Sequence, residues 1–141
     1  MSIKSITRAS LYGLVVASMA TGLVMDLATS MAMAATNPVT ASYGVWARGD
    51  GDARVRIAPC GKSICATNLW IRDPASSEKV GDVLVMTVKE EGGALKGTAY
   101  DRQRNLNLSF EMTVAPNALT TRGCVLGGVI CKSVAWSRVS G

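Results

Sequence analysis

The sequence predicts an all-β protein, a small up-and-down antiparallel β-barrel of about eight strands, lipocalin- or streptavidin-like. Three observations lead to it. Apolar and polar residues alternate with a period of two, most cleanly in "NLNLSFEMTV", where Leu106, Leu108, Phe110, Met112 and Val114 interleave with Asn105, Asn107, Ser109, Glu111 and Thr113. Turn signals rich in Gly, Asp, Asn and Pro separate such stretches at short intervals, and no segment carries the apolar repeat of an amphipathic helix of ordinary length. An even series of short strands joined by hairpins leaves two bare edges unless the first and last strands pair, which favours closure over a sandwich.

The elements follow in order. Residues 1–34 read as a secretory signal peptide: Lys4 and Arg8 give a basic start, an apolar run extends from Leu11 to about Met25, and Ala32-Met33-Ala34-Ala35 offers an A-x-A cleavage site. Asp26 interrupts the apolar run before it reaches the roughly 20 residues of a membrane span, so no span is expected after cleavage. No cysteine follows the cleavage region, which argues against a lipid-anchored form. The mature chain then begins near Ala35, residues 35–42 form a short linker, and residues 43–139 form one small domain.

Within that domain "YGVWAR" is the first strand, and Gly49-Asp50-Gly51-Asp52 turns the chain. "ARVRIAP" follows with Val55 and Ile57 inward and Arg54 and Arg56 outward. A turn at Gly61-Lys62-Ser63 leads to "ICATNLWIR", and Asp73-Pro74 ends that strand. "DVLVMTVKE", "ALKGTAYDR", the alternating strand from Asn105 to Val114, "ALTTRGCVL" and "VICKSVAWSR" complete the series. Their turns lie at Glu91-Gly92-Gly93, Arg102-Gln103-Arg104, Pro116-Asn117 and Gly127-Gly128.

This layout gives the four cysteines a role. Cys60 and Cys65 flank the turn between the second and third strands, and Cys124 and Cys131 flank the turn between the last two. Cysteines across the base of a hairpin come within disulfide reach, and an exported chain meets an oxidising compartment, so two hairpin staples are expected. A four-cysteine zinc site is the competing reading. The second pair has six intervening residues, beyond the usual two to four, and export favours oxidation. A thioredoxin-type pair would require C-x-x-C beside a βαβ pattern, which is missing.

Composition excludes most catalytic classes. The 141-residue chain contains no histidine, which removes Ser-His-Asp and Cys-His catalysis, histidine-ligated zinc and a histidine proton shuttle together. Asp50 and Asp52, and Glu90 and Glu91, are paired carboxylates, but both pairs sit in glycine turns where solvated charge is ordinary. "ARVRI" after Asp52 lacks the oxygen donors of a calcium loop, and no phosphate-binding glycine motif occurs. No enzyme activity, metal or cofactor is therefore expected. Without residues 1–34 the net charge is about +4, with the cations scattered among acids and no aromatic interleaving, so nucleic acid is not an expected partner. A loose preference for anionic envelope surfaces and plain solubility explain that charge equally well.

Binding is the expected class, with Trp46, Trp70, Tyr100 and Arg138 as candidate ligand contacts. For Trp46 the structural alternative is a plug at one end of the barrel, with Arg138 of the last strand stacked over its indole. Gly-x-Trp in the first strand with an arginine in the last resembles the arrangement in lipocalins. Trp70 and Tyr100, if they face inward beside Met86 and Met112, would line a small apolar cavity. Barrels of this strand number are also often filled by their own side chains. The expected partner is thus a small hydrophobic or envelope-derived ligand, or an envelope protein; the alternative is a structural or stress-related envelope protein with a filled barrel and no ligand.

The chain also resembles the bacterial family of exported proteins known as DUF2147. The resemblance is carried by Gly44-x-Trp46, the "VRIAPCG" strand and turn, "LW" after Cys65, Gly97 before Tyr100-Asp101, and Gly123-Cys124 followed by Trp136-x-Arg138. It implies a periplasmic, lipocalin-like barrel of uncharacterised activity. Longer members carry a fuller Asn-, Pro- and Arg-containing segment between the third and fourth strands and an Asp-Pro-x-x-Gly-type turn after the tyrosine. Here those positions read "DPASSEKVG" and "DRQRN", so ligand contacts from those loops are not carried over.

Overall fold

The structure, a computed structural model, describes residues 35–141; the expected signal peptide lies outside the described residues. Eight strands form: β1 Gly44–Arg48, β2 Ala53–Cys60, β3 Ser63–Ile71, β4 Val83–Glu91, β5 Ala94–Asp101, β6 Leu106–Val114, β7 Ala118–Val125 and β8 Ile130–Ser140. Each pairs antiparallel with the next and β8 returns to β1, giving a closed up-and-down barrel. Closure leaves no bare sheet edge. Among the described residues no helix is long and apolar enough to cross a membrane.

Alternation decides which face of each strand is buried. In β2, Ala53, Val55 and Ile57 are buried between exposed Arg54 and Arg56, and in β6 Phe110 and Met112 are buried between exposed neighbours. The inward side chains of all eight strands build one core, in which Trp46, Met86, Leu95, Met112 and Leu119 are the largest fully buried apolar groups. At Gly97 the strands approach so closely that a Cβ would run into the Thr87 carbonyl oxygen.

Hairpin order gives the barrel two unlike ends. The turns after β2, β4 and β6 gather at one end together with the start of β1 and the finish of β8. The turns after β1, β5 and β7 and the longer loop 72–82 after β3 gather at the other. The first end is sealed by residues read from the sequence as a linker. Asn37 caps a four-residue helix, α1 (Pro38–Ala41), its Oδ1 accepting from the Val39 N–H at 2.9 Å, and Pro38 supplies a helical φ at the first position. Val39 packs on the core and Ser42 is fully buried. A single turn of helix is too short to register as periodicity, which is why it reads as linker.

Candidate functional site

Trp46 sits inside the sealed end with no exposed surface. Its Nε1 donates to the Ser42 carbonyl at 2.8 Å, so the indole's one polar atom is satisfied by the chain leaving α1. The Arg138 guanidinium lies 4.1 Å from the ring centroid. From there its Nε donates to the Pro116 carbonyl, Nη1 to Tyr43 and Nη2 to Ala41, at 2.6, 2.9 and 2.7 Å. One side chain thus ties α1, the start of β1 and the β6–β7 turn to the last strand. Gly44 makes room for it: its φ is 131°, and a Cβ there would stand 2.5 Å from the Ser140 carbonyl oxygen and 2.8 Å from Arg138 Nη1.

The other end is not filled. A cavity of about 640 Å³ runs from the barrel interior to this mouth. Met112 and Leu119 floor it, and Val55, Ile57, Met86 and Phe110 wall it. Higher up the lining turns polar. Trp136 Nε1 donates to Thr121 Oγ1 at 3.0 Å, so both groups are held in the wall. At the rim stand Arg48, Glu78, Asp101, Arg104 and Lys132.

Loop 72–82 folds over part of this mouth and is held by specific bonds. Arg48 reaches out of β1 and donates through Nη1 to Glu78 at 2.7 Å and through Nε to Asp50 at 2.9 Å. Burial works against the Arg48 charge, but Glu78 and Asp50 outweigh it and raise its pKa. Asp50 is held below the ordinary carboxylate range first by the Asp52 N–H that it accepts, and Arg48 adds to this against the opposing effect of burial. Arg104 donates to Asp101 at 2.6 Å and to the Ser77 carbonyl at 3.1 Å, and the Asp101 bond raises the Arg104 pKa. Asn68 in β3 anchors the far side of the loop, its carbonyl accepting from Gly81 N–H at 2.8 Å and its Nδ2 donating to Lys79 at 3.2 Å.

The four residues singled out from the sequence fall in three places. Trp46 and Arg138 come together, at the sealed end and away from the cavity lining. Trp70 faces outward, 42% exposed, with Arg54 over its ring at 5.7 Å. Tyr100 is also on the outer face, next to buried Ala99, and its hydroxyl donates to Asn105 Oδ1 at 2.9 Å. Met86 and Met112 do face inward, without those aromatics beside them. A β-bulge reverses Trp70: Arg54 pairs with Trp70 but Val55 pairs with Asn68, leaving Leu69 unpaired and flipping the parity of the strand end.

The residues that line the mouth were not picked out from the sequence, although two carried a signal. Arg48 follows buried Trp46 by two positions and Trp136 precedes Arg138 by two, so alternation turns all four inward. Glu78 and Arg104 come from loops, where alternation says nothing. Both expected disulfides are formed, Cys60–Cys65 and Cys124–Cys131, with Cα separations of 5.7 and 4.0 Å. The first staples the sealed end and the second the rim of the mouth. They are consistent with an extracytoplasmic location.

The family model described as "Uncharacterized protein conserved in bacteria (DUF2147)" matches residues 44–138, from the first residue of β1 to the arginine over Trp46. No curated protein and no solved structure matches the chain.

Proposed function

From the premise that this chain belongs to the bacterial DUF2147 family, we propose that it is an exported, non-enzymatic binding barrel of the periplasm that takes a small amphiphile. The apolar part of the ligand lies between Met86, Phe110, Met112 and Leu119, and its polar end stays at the mouth among Arg48, Arg104 and Lys132. The observation that carries this reading is the cavity. Its volume of about 640 Å³ falls within the range usual for small-molecule sites, and its apolar floor with a few polar groups above matches their usual chemistry. A barrel serving only as a structural body would gain stability by filling that space. Periplasmic residence is supported by the signal-like segment and by the two disulfides.

The test is native mass spectrometry of protein purified from the periplasm without reductant, followed by solvent extraction, together with displacement of an environment-sensitive fatty-acyl probe. The expected result is a bound molecule released on denaturation, and probe binding that Met86→Trp abolishes by filling the cavity. Wild-type protein that carries nothing and takes no probe would leave the filled-barrel reading in its place.

A further inference from the structure

We propose that the ligand's polar end is uncharged: the barrel takes a neutral amphiphile, an acyl chain with a hydroxyl- or ester-bearing head of the monoacylglycerol type, and discriminates against fatty acids and cationic amphiphiles. The inference rests on the reading of the cavity as a ligand site and adds the class of its occupant. Its first ground is the balance of charge in the lining. Three cations, Arg48, Arg104 and Lys132, stand among three carboxylates, Glu78, Asp82 and Asp101. Asp50 adds a fourth carboxylate through its bond to Arg48.

These charges are already engaged with one another. Arg48 Nη1 donates to both Glu78 oxygens, at 2.7 and 2.9 Å, and its Nε to both Asp50 oxygens, at 2.9 and 3.0 Å. A fatty-acid carboxylate would be the third anion on one guanidinium. Arg104 is bound to Asp101 and lies in the fields of Asp82 and Glu78. Lys132 makes no contact ion pair among the described residues, but its charge acts on Asp50. A cationic head fares no better, because Glu78 is held by Arg48, and Asp101 accepts from the Gln103 and Arg104 N–H groups and the Arg104 guanidinium. The Arg48 and Asp101 side chains are only 15% and 16% exposed. An added charge of either sign would therefore lose water without gaining a free counter-charge.

The second ground is the hydrogen-bonding capacity that remains, which belongs to uncharged groups. Thr121 Oγ1 accepts from Trp136 Nε1, which leaves its own O–H to donate into the cavity. Asn68 spends Nδ2 on the Lys79 carbonyl, and its Oδ1 accepts from no donor among the described residues. Gln103 Oε1 accepts from the Val83 N–H, and its Nε2 has no acceptor among them. Both amides line the same cavity. Two donors and an acceptor above an apolar floor match the hydroxyl and ester oxygens of a neutral head. A site built on such bonds rejects a ligand that cannot make them.

The experiment is calorimetric titration of delipidated protein, purified from the periplasm without reductant, with monodecanoylglycerol, decanoate and decyltrimethylammonium below their micelle concentrations. The three share a chain length and differ in the charge of the head. Monodecanoylglycerol is expected to bind at least about tenfold tighter than either ion, with an affinity that salt leaves unchanged. Glu78→Gln, which removes one of the two carboxylates on Arg48, should raise the affinity for decanoate relative to monodecanoylglycerol by about tenfold. Thr121→Val should weaken monodecanoylglycerol by about tenfold, and Thr121→Ser should retain its binding. Decanoate or the ammonium binding as tightly as monodecanoylglycerol overturns this inference and leaves the cavity reading standing. Monodecanoylglycerol binding that Met86→Trp does not reduce also overturns it, since the ligand would then lie outside the cavity. Absence of binding by all three removes the cavity reading and this inference together.

Discussion

Arg138 shows how much one side chain can organise. Its three donors reach three carbonyls while its flat face covers Trp46, a geometry that lysine cannot copy. Arg138→Lys should lower stability by about 1–3 kcal/mol in urea denaturation, because carbonyls at the sealed end lose charged partners. Trp46→Ala, which empties a fully buried site, should cost about 3–5 kcal/mol in the same measurement. Gly97→Ala should be severe for its type, since its Cβ meets backbone rather than a movable side chain. This level of detail was partly legible. Gly44, Trp46 and Arg138 can be picked out because Gly-x-Trp in the first strand with an arginine in the last resembles the lipocalin arrangement. Trp70 could not be placed, because one unpaired residue, Leu69, decides which face it occupies and nothing in "ATNLWIRD" announces the bulge.

Among the elements, the hairpins were read well because alternation and turn chemistry agree there. Loop 72–82 and α1 were not, since each is held by side-chain bonds to distant residues instead of by a local pattern. The loop carries its own prediction. Glu78→Gln removes the charge on Arg48's long-range partner, so amide exchange should accelerate across residues 72–82 while the strands stay protected. The staples carry another. Replacing either cysteine pair by alanine should cost about 2 kcal/mol, the value for short closed loops. The two losses should add, because one bridge lies at each end of the barrel. At the β1–β2 turn, Asp50 has a folded pKa below its unfolded one, so its contribution is present above the ordinary carboxylate range and fades as pH falls through it. Asp50→Asn should therefore flatten the acid side of the stability profile below about pH 4, as followed by thermal unfolding.

At the scale of the molecule, closure followed from counting strands and asking where two bare edges would go, so the barrel was legible without knowing any contact. Whether its interior is open was not, because that depends on the sum of inward volumes against the barrel's width. With small residues such as Ala66, Thr121 and Gly123 around the mouth, the lower barrel packs solid and the upper barrel does not. The same closure shapes the molecule's history. The β1 strand pairs only with β2 and β8, and α1 is held by an arginine 97 residues further on. A chain delivered amino-terminus first therefore waits, as a growing ribbon with an unpartnered first strand, until its last few residues arrive to complete the ring. Shortening the carboxyl end by even four residues would remove Arg138 along with the end of β8, and leave the nascent sheet open to any chaperone or stray strand that reached it first.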